Sequence, residues 1–290
     1  MELNELKTII YSKIDELPTL PIVLPKLINL IENPKSSASD ISEVISRDPA
    51  MTSKILKVAN SAYYGFSQKI SAIDHAVTLL GFNMVKSLAL SIGIMRTFPQ
   101  NKKKSPHFSQ EGLWLHSLAV ATILHELGNR ISEKNTNESL FIIGLLHDIG
   151  KIVLDQFLND LFQEALEEAN ELNKGELFLA ERKVIGFDHG DIGALLLTRW
   201  KFPETIINPI SAHHKTEISE GTNAEDIAML RIANFLAQHL GMGEEGNPIP
   251  TEIHKEDLDI LDFQQKDIDE MIAYSNGVKD GIFAFFHAMN

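Results

Sequence analysis

The segment Gly144 to Lys151 reads GLLHDIGK and sets His147 and Asp148 side by side at the end of an apolar run. A neutral imidazole nitrogen next to a carboxylate is a pair that a hard or borderline divalent cation takes together. Leu140 to Leu146 has the composition of a buried helix and Gly150 marks where that helix bends or stops, so the pair falls at its inner end. One such dipeptide, taken alone, is more often a helix end or a buried histidine satisfied by its neighbours. The other histidines shift that balance. His116 lies in LWLHSLAVATILHEL on the same stripe as Leu113, Val120, Ile123 and Leu127, which aims it at core. His189 follows an N-cap at Asp188, and His213 and His214 close the segment PETIINPISAHH. Five imidazoles and an aspartate on four helices are poorly explained as unrelated packing events, and they read as one shared site. Lys151, three residues past Asp148, is a candidate catalytic residue: it could meet a substrate phosphate as a point charge, or it could neutralise Asp148.

The elements that must position these residues are helical nearly throughout. Glu2 to Ile14 reads as a first helix, and Pro18, Pro21 and Pro25 punctuate the approach to a second over Val23 to Ile31. Asp40 with Glu43 and Ser71 with Asp74 resemble capping boxes. Asp48-Pro49 is an N-cap followed by proline at the first helical position, ahead of Ala50 to Ala59. Val85, Leu88, Ala89, Ile92 and Met95 form a 3.6-residue stripe. The basic, proline-bounded NKKKSP of 101–106 is the best boundary between subdomains. Beyond it, helices are expected over 111–127, 138–148, 160–172, 176–185, 189–201, 203–213 and 224–240, with a terminal helix over 265–289. No alternating strand pattern and no repeat competes. The expected fold is all-α, a multi-helix bundle over 105–290 preceded by an N-terminal helical subdomain over 1–104.

Composition narrows the chemistry. The chain has 290 residues, 44% of them apolar, and no cysteine, so a metal must be held by His, Asp or Glu. Its formal net charge of -14 argues against broad nucleic-acid binding. The charge is uneven: 13 basic and 9 acidic side chains over 1–104, a balance of +4, against 13 and 31 over 105–290, a balance of -18. Tyr63, Tyr64 and Phe66 near Lys54 and Lys57 look like packing aromatics rather than base readers, which argues against DNA as a ligand. The N-terminus lacks a signal-peptide core and no apolar run is long enough to span a bilayer, so a cytoplasmic protein is expected.

The order His116, His147-Asp148 with Lys151, His189, His213-His214 resembles the HD superfamily of metal-dependent phosphohydrolases. LPTLPIVLPKL, ISEVISRDPAMTSKILKVANSAYYG and ISAIDHAVTLLGFNMVKSLAL resemble its HDOD branch, and the likeness runs from Leu17 to about His214. That resemblance implies an HD-like bundle whose ligands hold one or two metal ions that activate water. Carried over, His116, His147 and Asp148 match one metal position, and Asp148, His189, His213 and His214 match its neighbour. The family's final aspartate falls on Asn234, a weaker neutral ligand, so the first position is weakened and Asn234→Asp is expected to raise metal occupancy. After His214 the sequence reads KTEISEGTNAED, without the glycine-tyrosine-proline signature of the cyclic-dinucleotide phosphodiesterases. The resemblance therefore implies a regulatory protein that binds a signalling partner or a nucleotide, with one iron, manganese, nickel or zinc ion in place of two. A groove between the two halves is the expected working surface. The alternative is a metal-dependent phosphohydrolase acting on a nucleotide or phosphodiester.

Overall fold

The structure is a computed structural model that describes residues 23–33, 35–98, 105–131, 139–171, 176–215, 223–247 and 252–289. The first expected helix and most of the NKKKSP segment lie outside these residues. Among those described, every regular element is helical and the one β-bridge is isolated, joining Phe108 and Glu245.

The described residues form two compact units, one within 19–99 and 276–290, the other within 100–275. The first contains α1 (Val23–Glu32), α2 (Ala38–Ser46), α3 (Pro49–Ala59), α4 (Ile73–Leu80) and α5 (Phe82–Thr97). Asp48 caps α3 as expected, accepting from the Met51 amide with Pro49 at the first helical position. Two expected caps move. The box of α2 is Ser37 with Asp40, one turn earlier than Asp40 with Glu43, because the Ser37 hydroxyl reaches the Asp40 amide while the Asp40 carboxylate returns to the Ser37 amide. At α4 the cap is Ala72 and no side chain bonds there.

The second unit contains α6 (Gln110–Ile131), α7 (Leu140–Leu146), α8 (Ile149–Phe157), α9 (Asn159–Glu171), α10 (Leu177–Val184), α11 (His189–Arg199), α12 (Glu204–Ala212), α13 (Ala224–His239) and α14 (Lys255–Leu261). The expected single helix over 138–148 ends at Leu146, and α8 starts at once after the His147-Asp148 break; sequence reading assigned neither α8 nor α14. Helix α6 packs on α7 and α13, α8 on α11, and α12 on both α7 and α13. Apolar burial is nearly complete in the middle of this unit: Leu113, Leu118, Val120, Ile123, Leu127, Ile143 and Leu146 are inaccessible or nearly so.

The terminal helix α15 (Gln265–Met289) contributes to both units, dividing at Ser275. The sequence placed all of 105–290 in one subdomain. The last turns of α15 instead group with the N-terminal residues, where Phe285 meets Tyr63 at 5.4 Å between ring centroids and Lys54 and Lys57 donate to the free carbonyls of Met289 and His287. These contacts close more than 200 residues of chain, and no local pattern announces them. No single helix among the described residues is long and apolar enough to cross a membrane.

Candidate metal centre

His147 and Asp148 sit at the break between α7 and α8, and both are buried. Two glycines let neighbouring backbones close in on this corner. At Gly144 an added Cβ would lie 2.6 Å from Ala121 Cα on α6, and at Gly150 it would lie 2.0 Å from the His189 carbonyl oxygen on α11. The first approach brings His116 of α6 toward His147. The second brings His189, the first residue of α11, toward Asp148.

The histidine protons are fixed by their outer partners. His147 Nδ1 lies 2.8 Å from the Gly144 carbonyl, His213 Nδ1 lies 2.6 Å from that of Ile210, and His189 Nδ1 lies 2.6 Å from Glu181 Oε2. A carbonyl or carboxylate only accepts, so each Nδ1 carries a proton and each Nε2 turns inward, the arrangement that outer-shell partners impose on metal-binding histidines. Inside, His189 Nε2 lies 3.0 Å from Asp148 Oδ1 and 2.9 Å from His214 Nε2. His213 Nε2 lies 3.8 Å from Asp148 Oδ1, and His147 Nε2 lies 3.3 Å from Asp148 Oδ2. Buried His147 Nε2, His213 Nε2 and Asp148 Oδ1 find no hydrogen-bond partner within the protein. Buried acceptors that converge on one point and are left unpaired by the protein call for a cation.

Burial pushes His213 and His214 well below the usual histidine range, aided by neighbouring imidazoles, so both are neutral at pH 7. Burial also lowers His116, to about 4. His189 goes the other way: burial opposes its charge, but the carboxylates of Glu181 and Asp148 raise it to about 10. Without a metal, its second proton lies among Asp148 Oδ1 and His214 Nε2. Burial would raise Asp148, yet His147, Lys151 and His189 hold it well below the usual carboxylate range.

All seven positions singled out in the sequence are brought together. Asp148, His189, His213 and His214 offer ligand atoms mutually within 4.8 Å, and so do His116, His147 and Asp148. Ligand bonds of about 2 Å set donor atoms some 3 to 4 Å apart, so the first group fits one ion of the nitrogen- and oxygen-binding class. In the second group His116 Nε2 faces Asn234 Oδ1 at 2.9 Å, and an N–H on that nitrogen donates to the amide oxygen.

Three residues at this site were not read from the sequence. Glu181 of α10 holds both the amide and the ring of His189. Arg231 of α13 donates to the carbonyls of Ala212, His213 and Lys215 and pairs with buried Asp257, which fixes the chain end that carries His213 and His214. Glu245 contacts the Lys151 ammonium, which also donates to Asp148 Oδ2 at 2.8 Å. Lys151 is wholly buried, so of its two expected roles the geometry gives neutralisation of Asp148. Glu181 had a faint signal as a lone carboxylate on an otherwise apolar helix face; Glu245, in a glycine-rich turn, had none.

An all-helical fold with this buried cluster of histidines around an aspartate is that of the HD-type proteins. Within that class the chain belongs to the HDOD domain family, which matches residues 17–216. It is 29% identical over 237 residues to an uncharacterized protein of Treponema pallidum (strain Nichols), a match covering 82% of this chain and 45% of that protein; the chain thus spans about half the length of that relative. Among solved structures it resembles a candidate signal transduction protein of Marinobacter aquaeolei VT8, with a TM-score of 0.81, 20% identity, and 99% and 66% of the two chains covered. It also resembles a candidate phosphohydrolase of Shewanella amazonensis SB2B, with a TM-score of 0.74, 24% identity, and 97% and 98% covered. These likenesses establish the fold.

Proposed function

We propose that this HDOD protein is a regulatory module that holds one metal ion through Asp148, His189, His213 and His214 and works by binding a signalling partner or a nucleotide rather than by hydrolysis. The observation that carries the reading is the contact between His116 and Asn234. Where a second ion would need a charged ligand, the chain presents a neutral amide that occupies the inward nitrogen of His116. A bound ion of iron, manganese, nickel or zinc would supply Lewis acidity and an acidified water. The protein's own part is orientation: Glu181, Ile210 and Gly144 fix three imidazoles, and the Arg231 clamp fixes the chain end that presents His213 and His214.

One observation favours the alternative, a metal-dependent phosphohydrolase. A cavity of about 420 Å³ adjoins His213, His214 and Asn234, within the size range of small-molecule sites. Its walls include Lys215 and Arg231 but also Glu176, Glu252 and Glu256, and Arg231 is already matched by Asp257. That rim suits a polyanionic substrate poorly. Metal-loaded protein incubated with cyclic dinucleotides and common nucleotides is expected to show no turnover. A rate above about 1 per second, within the ordinary enzyme range, that Asp148→Ala abolishes would establish the hydrolase instead.

A further inference from the structure

The position of Lys151 bears on how many ions the centre takes. Asp148 Oδ2 is the oxygen nearest to both His147 Nε2, at 3.3 Å, and His116 Nε2, at 3.9 Å, so it is the atom through which Asp148 would serve a metal at the first position. That oxygen already accepts from Lys151 Nζ at 2.8 Å. We infer that Lys151 is a built-in cation that stands in for the second metal, so that the centre is mononuclear by construction.

The ammonium is held there from the far side. Lys151 has no solvent exposure, and its second carboxylate partner is Glu245, only 4% exposed. Glu245 in turn accepts from Gln238 Nε2 at 3.1 Å and from Asn247 Nδ2 at 2.8 Å. The turn that carries it is fastened to the start of α6: Phe108 pairs with Glu245, the Ser109 amide donates to the Glu244 carbonyl at 3.0 Å, and Gly243 lies so close to Gly112 that a Cβ would approach its carbonyl oxygen to 2.0 Å. Gly243 has φ +86°, which favours glycine independently. An ammonium fixed between two buried carboxylates has nowhere else to go. Asp148, Lys151 and Glu245 together carry one net negative charge, enough to favour one dication; without the ammonium they carry two. A second dication beside Lys151 would meet a like charge in a poorly solvated interior and would have to displace it from Oδ2.

This inference rests on the metal reading above, and metal stoichiometry separates the two. On sequence grounds Asn234→Asp alone should restore the first position; with Lys151 in place it should not. The experiment titrates Mn²⁺, added alone, into wild-type protein and three variants, and reads stoichiometry by equilibrium dialysis with elemental analysis and Mn–Mn coupling by electron paramagnetic resonance. Expected are one equivalent for wild type, one for Asn234→Asp, and two coupled ions when Lys151→Met is combined with Asn234→Asp, which supplies the charged ligand that the first position lacks. Lys151→Met leaves two buried carboxylates uncompensated, so Glu245→Gln supplies an independent arm that keeps shape: its ammonium has only Asp148 as counter-charge, and the single ion should bind about 10- to 100-fold more weakly, as when an outer-shell partner is lost. Two equivalents in wild type or in Asn234→Asp overturn the inference, as does a folded double variant at one equivalent. Where the double variant does not fold, an unchanged Kd for Glu245→Gln overturns it. No Mn²⁺ bound by wild type would overturn the metal reading itself and this inference with it.

Discussion

His147, His189 and His213 each turn Nε2 toward the centre because a partner outside holds the Nδ1 proton, so these outer partners should matter nearly as much as the histidines. Glu181 is the plainest case, since it both bonds His189 Nδ1 and keeps the imidazole highly basic. Glu181→Gln can still accept from Nδ1 but brings no charge. Metal affinity is expected to fall about 10- to 100-fold, and in metal-free protein the His189 titration, followed by NMR, should move down from about 10. A His189 titration unmoved by the substitution would remove Glu181 from this role. Sequence reading placed His189 correctly after its Asp188 cap but could not see Glu181, eight residues earlier, because helix α10 and the intervening turn set that distance.

At the scale of elements, the centre depends on the contact of α8 with α11 and of α7 with α6. Gly150 is the closest approach, since a methyl group there would have to sit 2.0 Å from the His189 carbonyl and 2.8 Å from the Gly193 amide. Neither backbone atom can swing aside as a side-chain tip would. Gly150→Ala is expected to lower stability by about 1 to 3 kcal/mol, the usual cost of overpacking, and to weaken metal binding in parallel by moving His189 away from Asp148. Thermal unfolding with and without Mn²⁺ checks both. A destabilised variant with unaltered affinity would show that the α8–α11 contact does not position the ligands. The sequence marked Gly150 as a place where a helix bends; that it is also a point of backbone contact depends on a partner helix about forty residues away, which has no local signature.

For the molecule as a whole, stability is expected to respond to metal and to acid. An ion that binds only the folded 100–275 unit at 100 times its Kd adds about 2.7 kcal/mol. The melting transition of this unit should therefore rise with Mn²⁺, and His213→Ala should remove most of the response. The acid limb involves Glu245. Burial would raise its pKa, but the Lys151 ammonium and His116 outweigh that and lower it from 4.5. A carboxyl depressed in the folded state contributes stability that is fully present above its unfolded value, and this is lost as pH falls through the folded one. Denaturant titrations from pH 7 to pH 3 should show Glu245→Gln less stable than wild type at neutral pH and declining less steeply in acid. Parallel declines would mean that Glu245 is not charged against Lys151.

Periodicity and punctuation by themselves determined the helices, because burying one face of a helix requires apolar residues every third or fourth position. The same logic placed His116 in the core, and residue chemistry selected the five histidines and Asp148 as one cluster. Missed were α8, whose pattern runs on from the preceding helix with only the His147-Asp148 break between them, and α14, which is short. The tertiary structure alone decided which side chains surround the cluster. Lys151 became an internal partner of Asp148 because a turn almost a hundred residues later brings Glu245 against it, and the end of α15 joined the N-terminal residues because Phe285 found Tyr63. Hydrogen bonds, ion pairs and ring contacts act over a few ångströms in space, whereas sequence patterns report only neighbours within a turn or two. Pairings of that range therefore appear only once the chain has folded.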